Sequence, residues 1–154
     1  MKTLRLAVAA ALLPLTLACT ASTWQVVPRP DVDAPIPPGH ARVVVVREFG
    51  FVGGLREVRI LDEGREIGVI GPSGYLVWDR VADRGVGRAI FSGYVLDGGE
   101  VENVFDMPRE AGSTTWAVLR LRSGDRKPVA EAVSDKEGRE LIASRDPAEV
   151  REPD

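Results

Sequence analysis

The sequence has almost none of the residues that cross-link a chain or bind transition metals. It contains one cysteine, Cys19, and one histidine, His40, among 154 residues. One cysteine cannot form a disulfide within the chain, and a closed zinc site would need about four cysteine and histidine ligands. We therefore expect no metal and no cofactor. About 100 folded residues can be stable through their hydrophobic core alone.

Lysine is also rare, at positions 2, 127 and 136, and the arginines form no cluster along the sequence. The formal net charge is −3, from 20 basic and 23 acidic side chains. Proteins that bind nucleic acids present a concentrated basic face. The sequence therefore predicts no nucleic-acid partner.

Long hydrophobic runs are missing as well. The apolar stretch LAVAAALLPLTL at 6–17 follows Lys2 and Arg5. A helix of about twelve residues spans roughly 18 Å, which is less than the ~30 Å hydrocarbon core of a bilayer. A short positive segment followed by an apolar run of this length is typical of an export signal. We predict that residues 1–18 are a signal peptide.

The apolar run ends in Leu15-Thr16-Leu17-Ala18-Cys19, which resembles the lipobox of bacterial lipoproteins. In a lipobox, signal peptidase cuts before the cysteine after a diacylglycerol has been attached to its thiol. Thr16 and Ala18 would also suit the ordinary signal peptidase, so a freely secreted protein is the alternative. We favour lipidation of Cys19, because an unpaired cysteine in a secreted chain needs another explanation. A diacylglycerol plus an N-acyl chain would anchor the protein stably.

The residues after the cysteine predict where the domain is held. Position 20 is Thr rather than Asp; by resemblance to enterobacterial sorting, this favours the outer membrane, and we expect its periplasmic face. Residues 19–39 contain five prolines and no apolar periodicity, which predicts a semi-rigid tether. At ~3.1 Å per residue, twenty residues extend about 60 Å. A stalk that reaches a partner and a simple spacer are both compatible with this pattern.

From residue 40 onward, short β-branched or alternating apolar runs are separated by glycine-rich turns. Strands are predicted at 43–46, 57–60, 66–70, 75–78, 87–96, 100–105 and 114–122. The turn Asp62-Glu63-Gly64-Arg65 joins the second and third of these strands into a hairpin. This spacing of short strands and turns predicts one mainly β domain over residues 40–144, a small antiparallel β-sandwich.

One short helix is predicted near the C-terminal end of this domain. Ser134 and Glu137 have the spacing of a capping box, and Leu141 and Ile142 follow one to two turns later. Residues 145–154 are polar and contain two prolines, and we predict that they are disordered.

Four segments resemble a bacterial family in their order. They are ARVVVVREFGFVGG at 41–54, VRILDEGREIGVIGPSGYLVWD at 58–79, EAGSTTWAVLRLR at 110–122 and VSDKEGRELI at 133–142. Behind a lipobox, this order is similar to the family catalogued as domain of unknown function 2846, whose members are mostly small lipoproteins. The resemblance implies an immunoglobulin-like or carboxypeptidase-regulatory-like sandwich in the cell envelope. It implies no reaction, since the family carries no established activity.

Candidate catalytic groups are few. A Ser-His-Asp triad needs a base, but His40 lies at the edge of the tether, where we favour a solvated role. An acylated Cys19 could not be a nucleophile. Carboxylates close in sequence form the pairs Asp62/Glu63, Asp97/Glu100 and Glu102/Asp106. All three lie at predicted turns or strand faces, where solvated acids are common, so we predict that the protein is not an enzyme. A carboxylate-dependent envelope hydrolase is the remaining enzymatic hypothesis.

The strand at 114–122 offers a candidate binding surface. Its alternation places Ala117 and Leu119 on one face, which we predict lines the core. Trp116, Arg120 and Arg122 would share the other face, and an exposed aromatic residue beside arginines is typical of a binding patch. The alternative, which we favour, packs Trp116 under the C-terminal helix.

Taken together, the anchor, the tether and the missing catalytic set predict a lipid-anchored module that binds another envelope component. Its partner would be a protein, peptidoglycan or another glycan. A structural or envelope-stress lipoprotein without a specific partner is the alternative.

Overall fold

The computed structural model describes residues 24–27, 29–48, 57–92, 99–108, 110–120 and 129–153, with backbone only for 24–27 and 151–153. This part of the chain is mainly β. Its strands are β1 Trp24–Val27, β2 His40–Arg47, β3 Val58–Asp62, β4 Arg65–Ile70, β5 Gly74–Val81, β6 Val86–Ser92, β7 Glu100–Asp106, β8 Thr114–Arg120, β9 Val129–Val133, β10 Asp146–Pro147 and β11 Val150–Pro153, and its helix is α1 Asp135–Ile142.

The strands form two sheets, which confirms the predicted β-sandwich. The six-stranded sheet has the order β1-β11-β4-β3-β6-β7, and the five-stranded sheet has the order β10-β5-β2-β8-β9. The pairing is not purely antiparallel, because β2 runs parallel to β8 and β10 runs parallel to β5. Between β2 and β8 the chain forms β3, β4, β6 and β7 of the facing sheet. Strand β8 then begins at the same end of the sandwich as β2, so the two strands run parallel.

The four consecutive valines of β2 lie at the centre of the molecule. Val43 and Val45 face the other sheet, whereas Val44 and Val46 face outward, and all four are fully buried. A strand that is covered on both faces has a continuous apolar sequence rather than an alternating one. The run therefore indicates that a further layer covers the five-stranded sheet, and α1 forms part of that layer.

The predicted hairpin is present as β3 and β4, joined by Glu63 and Gly64. These two residues have φ angles of 49° and 84°, so both lie in the left-handed region, as a type I′ turn requires. Gly64 meets this requirement without steric cost. The same end of the sandwich carries the turn at 82–85 between β5 and β6, and we call it the Gly64 end.

Helix α1 begins where the capping pattern predicts. The side chain of Ser134 accepts a hydrogen bond from the backbone N–H of Glu137 at 3.2 Å. The helix lies on the outer face of the five-stranded sheet, where Leu141 and Ile142 pack against the outward valines. At Gly138, an added Cβ would lie 2.2 Å from a carbon of the Trp116 ring. Glycine is therefore needed there for the helix to approach the sheet.

Two predictions about the ends of the domain are wrong. The tail at 145–154 was expected to be disordered, yet residues 146–147 and 150–153 are strands, and the buried Val150 pairs with Gly68. The segment 19–39 was expected to be a tether, yet its residues 24–27 form β1, which pairs with β11. Strand pairing holds both segments against the domain, and the burial of Val150 also fixes the C-terminal one. The predicted signal peptide and Cys19 lie outside the described residues.

Candidate functional site

A groove of about 610 Å³ lies along one side of the sandwich, between β5 and the strands β4 and β11 of the facing sheet. We call it the β5 groove. Its apolar floor is formed by Ile67, Trp78 and Val150, and its rim includes charged side chains of both signs, Glu63 and Arg65 among them. An apolar floor with a few polar groups around it is the usual composition of a ligand site.

The groove follows a strand edge that is only partly paired. Strand β10 pairs with β5 at Gly74 and Tyr75 alone, and the N–H of Ala148 donates to the carbonyl of Tyr75. Backbone groups alternate sides along a strand, so Asp79 and Val81 direct their N–H and C=O groups to the same edge as Tyr75. No strand of the described part pairs with β5 at those two residues. The groove therefore combines side-chain groups with backbone donors and acceptors that none of the described strands pairs.

Asp62 connects the two sheets at the Gly64 end. It is the last residue of β3, and its Oδ2 accepts hydrogen bonds from the Nε1 of Trp78 and the Nε of Arg80, both at 3.0 Å. Arg80 is almost fully covered and also forms an ion pair with Asp83 at 3.0 Å. Within the described part of the chain, Oδ1 of Asp62 has no hydrogen-bond partner. The carboxylate therefore keeps one unused acceptor.

A second ion pair fixes the outer wall of the groove. The guanidinium of Arg42 donates to both carboxylate oxygens of Asp79, at 2.8 and 2.9 Å, and its side chain is only 1% exposed. Its Nη1 also lies 2.7–2.9 Å from the carbonyl oxygens of Asp31, Val32 and Ala34. Arg42 thus ties residues 31–34 to the five-stranded sheet and positions Asp79 beside the groove.

Three of the other carboxylates named from the sequence, Glu63, Glu100 and Glu102, are also held by partners. Glu63 accepts a hydrogen bond from the N–H of Val86 at 2.7 Å. On the six-stranded sheet, Glu100 pairs with Arg59 and Glu102 pairs with Arg88. Asp106 is exposed at the end of β7, and Asp97 lies outside the described residues. The structure brings Asp62 and Glu63 to the groove but not the other two pairs.

The lone histidine also lies at the groove, at the start of β2. The Nδ1 of His40 is 3.0 Å from the carbonyl oxygen of Pro38. The ring nitrogen is therefore engaged with the backbone rather than with a serine or a carboxylate, which a triad would require. In the described residues, no three side chains of His, Cys, Asp or Glu are placed to hold a metal ion.

The candidate surface built on Trp116 is wrong, and the favoured alternative is confirmed. Trp116 is 2% exposed and packs between the outward valines and α1. Its Nε1 donates to Oδ1 of Asp135 at 3.0 Å, and the guanidinium carbon of Arg139 lies 5.9 Å from the ring centroid. The hydrogen bond from Arg139, and with it the bond from Trp116, lowers the pKa of the Asp135 carboxyl.

Arg120 does share the outer face with Trp116, but it serves the docking of the helix. It contacts Glu48 at 2.6 Å, Glu131 at 3.1 Å and Glu137 at 2.6 Å. The hydrogen bonds that Arg120 donates to these carboxylates, of which that to Glu137 has the largest effect, raise the pKa of Arg120. A cation that three carboxylates already surround is poorly available to a ligand. Arg122 lies outside the described residues.

Sequence reasoning missed Arg42, Asp79 and Arg80 as site residues. The predicted strand ended at Trp78, and two charged residues follow it. The alternation of that strand nevertheless continues, since Leu76, Trp78 and Arg80 share the inner face. Continuing the alternation by two residues after Trp78 would have placed Arg80 on the face that lines the core.

Comparisons of the chain with family models, with curated proteins and with solved structures find no match. In the part of the chain that the structure describes, no helix is long and apolar enough to span a membrane. The function is therefore inferred from the β5 groove and from the N-terminal sequence pattern that ends at Cys19.

Proposed function

We propose that this chain is a lipid-anchored bacterial envelope protein and that its β-sandwich is a non-enzymatic binding module. The lipobox pattern ending at Cys19 supports the anchor. The resemblance to the family of domain of unknown function 2846 supports the envelope location. Binding takes place in the β5 groove.

The composition of the groove is the observation that carries this proposal. Its volume of about 610 Å³ lies within the roughly 300–1,000 Å³ that is typical of small-ligand sites. Ile67 and Trp78 give apolar contact, Glu63 and Arg65 give charges of both signs, and the edge of β5 gives backbone hydrogen bonds. The ligand is a segment of an envelope component, whether protein, peptidoglycan or another glycan, with an apolar part and polar groups around it.

The contacts of the acidic groups favour binding over catalysis. A pair of catalytic carboxylates must exchange protons with a substrate, and one of them must be free to act as an acid. Asp62 is held by Trp78 and Arg80, and Asp79 is held by Arg42 at both oxygens. Carboxylates that arginine side chains hold in place suit a structural or recognition role.

Site-specific photo-crosslinking in intact cells tests the proposed site. A photoreactive amino acid replaces Val81, which is 60% exposed and lines the groove, or Val104, which is 57% exposed on β7 away from it. We expect a discrete adduct with an envelope protein or a peptidoglycan fragment from position 81 and none from position 104. The adduct should weaken when Arg65→Glu reverses a charge on the rim.

Position 104 is the matched control, because its side chain has the same type and nearly the same exposure. Identical adducts from both positions would show that the photoreactive residue reacts with any neighbouring molecule rather than with a ligand in a binding site. If position 81 gives no adduct, the groove is not the binding site, and the alternative hypothesis of a structural lipoprotein is favoured.

A further inference from the structure

We infer that the Gly64 end of the sandwich contacts the phospholipid surface, so that the β5 groove opens beside the membrane. The sequence alone left open whether the tether is a stalk that holds the domain away from the membrane or a simple spacer. This inference rests on the proposed anchor at Cys19. It adds an orientation and a second interaction surface to the proposed function.

The position of β1 sets the distance between anchor and domain. Strand β1 begins at Trp24, five residue steps after Cys19. Whatever their conformation, five steps extend at most about 18 Å, at ~3.6 Å per residue. An anchored domain therefore lies within about 18 Å of the lipid rather than about 60 Å.

Strand register shows which end of the domain is close to the anchor. Trp24 pairs with Pro153, and Val150 of the same strand pairs with Gly68. Strands β11 and β4 are antiparallel. Pro153, three residues after Val150, therefore lies at the level of Arg65, three residues before Gly68. The chain thus enters β1 at the level of Arg65, at the Gly64 end. Strand β5 has eight residues and spans about 23 Å at ~3.3 Å per residue, so the opposite end lies much farther from the lipid.

The exposed side chains at the Gly64 end match a phospholipid surface. Two apolar side chains, Val81 and Val86, are 60% and 38% exposed at this end. Four exposed acids and two exposed arginines lie there, namely Glu63, Asp83, Asp106, Glu110, Arg65 and Arg84, so the described part of this end is net acidic. A net basic patch would select anionic lipids, whereas a net acidic surface is repelled by them and is compatible with headgroups that carry both a phosphate and an ammonium. The partner is therefore a zwitterionic phospholipid surface.

Depth-dependent fluorescence quenching tests this orientation. A fluorophore is attached to Arg84→Cys, at the Gly64 end, or to Glu57→Cys, which is exposed just before β3 at the opposite end. Cys19 would be acylated, so the introduced thiol is the one that reacts. The lipidated full-length mature protein is placed in phosphatidylethanolamine–phosphatidylcholine vesicles that carry a headgroup quencher. We expect several-fold stronger quenching at position 84 than at position 57.

Mass spectrometry of the same preparation separates the two proposals. If Cys19 carries lipid and both labels are quenched equally, or position 57 more strongly, the orientation is wrong and the anchor stands. If Cys19 carries no lipid, the anchor of the proposed function fails and the orientation fails with it.

Discussion

Replacing Arg42 with leucine is expected to lower the free energy of unfolding by about 3–5 kcal/mol, because it leaves a partner carboxylate buried without its cation. Arg42 is 1% exposed, and Asp79 is 16% exposed. The substitution also removes the donor that holds the carbonyls of residues 31–34. Equilibrium urea denaturation, followed by circular dichroism, measures the change.

Two controls identify the cause of that loss. Arg59→Leu makes the same substitution in an exposed pair, where Arg59 and Glu100 are 40% and 54% exposed, and it should cost at most about 1 kcal/mol. The double variant Arg42→Leu/Asp79→Leu should recover much of the lost stability, because replacing both members of a buried pair with apolar residues is often neutral. A loss at Arg42 no larger than that at Arg59 would show that the pair is not stabilising the domain.

Gly138→Ala is expected to destabilise the protein by about 1–3 kcal/mol, although alanine favours helices over glycine by about 1 kcal/mol. The added Cβ would lie 2.2–2.8 Å from ring carbons of Trp116. Trp116 is confined between the outward valines and α1, so the ring or the helix must shift. Thermal unfolding and urea denaturation of the variant measure the effect.

Glu140→Ala is the matched control for Gly138→Ala, since Glu140 is exposed on the same helix. A surface substitution of this kind should change stability by no more than about 0.5 kcal/mol. If Gly138→Ala were instead stabilising, helix propensity would outweigh packing, and the close approach of α1 to the sheet would be disproved.

Local sequence signals predicted the local features of this fold. The charged turn with Gly64 predicted the hairpin, and the pair Ser134 and Glu137 predicted the start of α1. Both signals act between residues that are close in sequence, where turn geometry and capping depend on a few side chains. The two-sheet sandwich followed from the spacing of the strands.

Features that depend on distant residues could not be predicted in the same way. Arg42 meets Asp79 across 37 residues, and β2 pairs with β8 across more than 60. The alternation of β8 placed Trp116 on the outer face, but it could not show what covers that face. Val150 looked like one apolar residue in a polar tail, because its burial depends on pairing with Gly68 in β4.

The groove escaped prediction for the same reason. Its walls come from β2, β3, β4, β5 and β11, and each contributes one to four residues. Asp62 looked like a solvated turn residue, yet the facing sheet supplies its partners Trp78 and Arg80. A site that forms where two sheets meet becomes visible only when both sheets are in place.

The state of Cys19 tests the account most directly, because the envelope location, the orientation and the choice of partners all depend on it. The measurement is mass spectrometry of the N-terminal peptide of the protein purified from bacterial membranes. We predict a chain that begins at Cys19 and carries a diacylglycerol on the thiol and an acyl chain on the amine. A mature chain with an unmodified thiol at Cys19, recovered from the soluble fraction, would contradict the account.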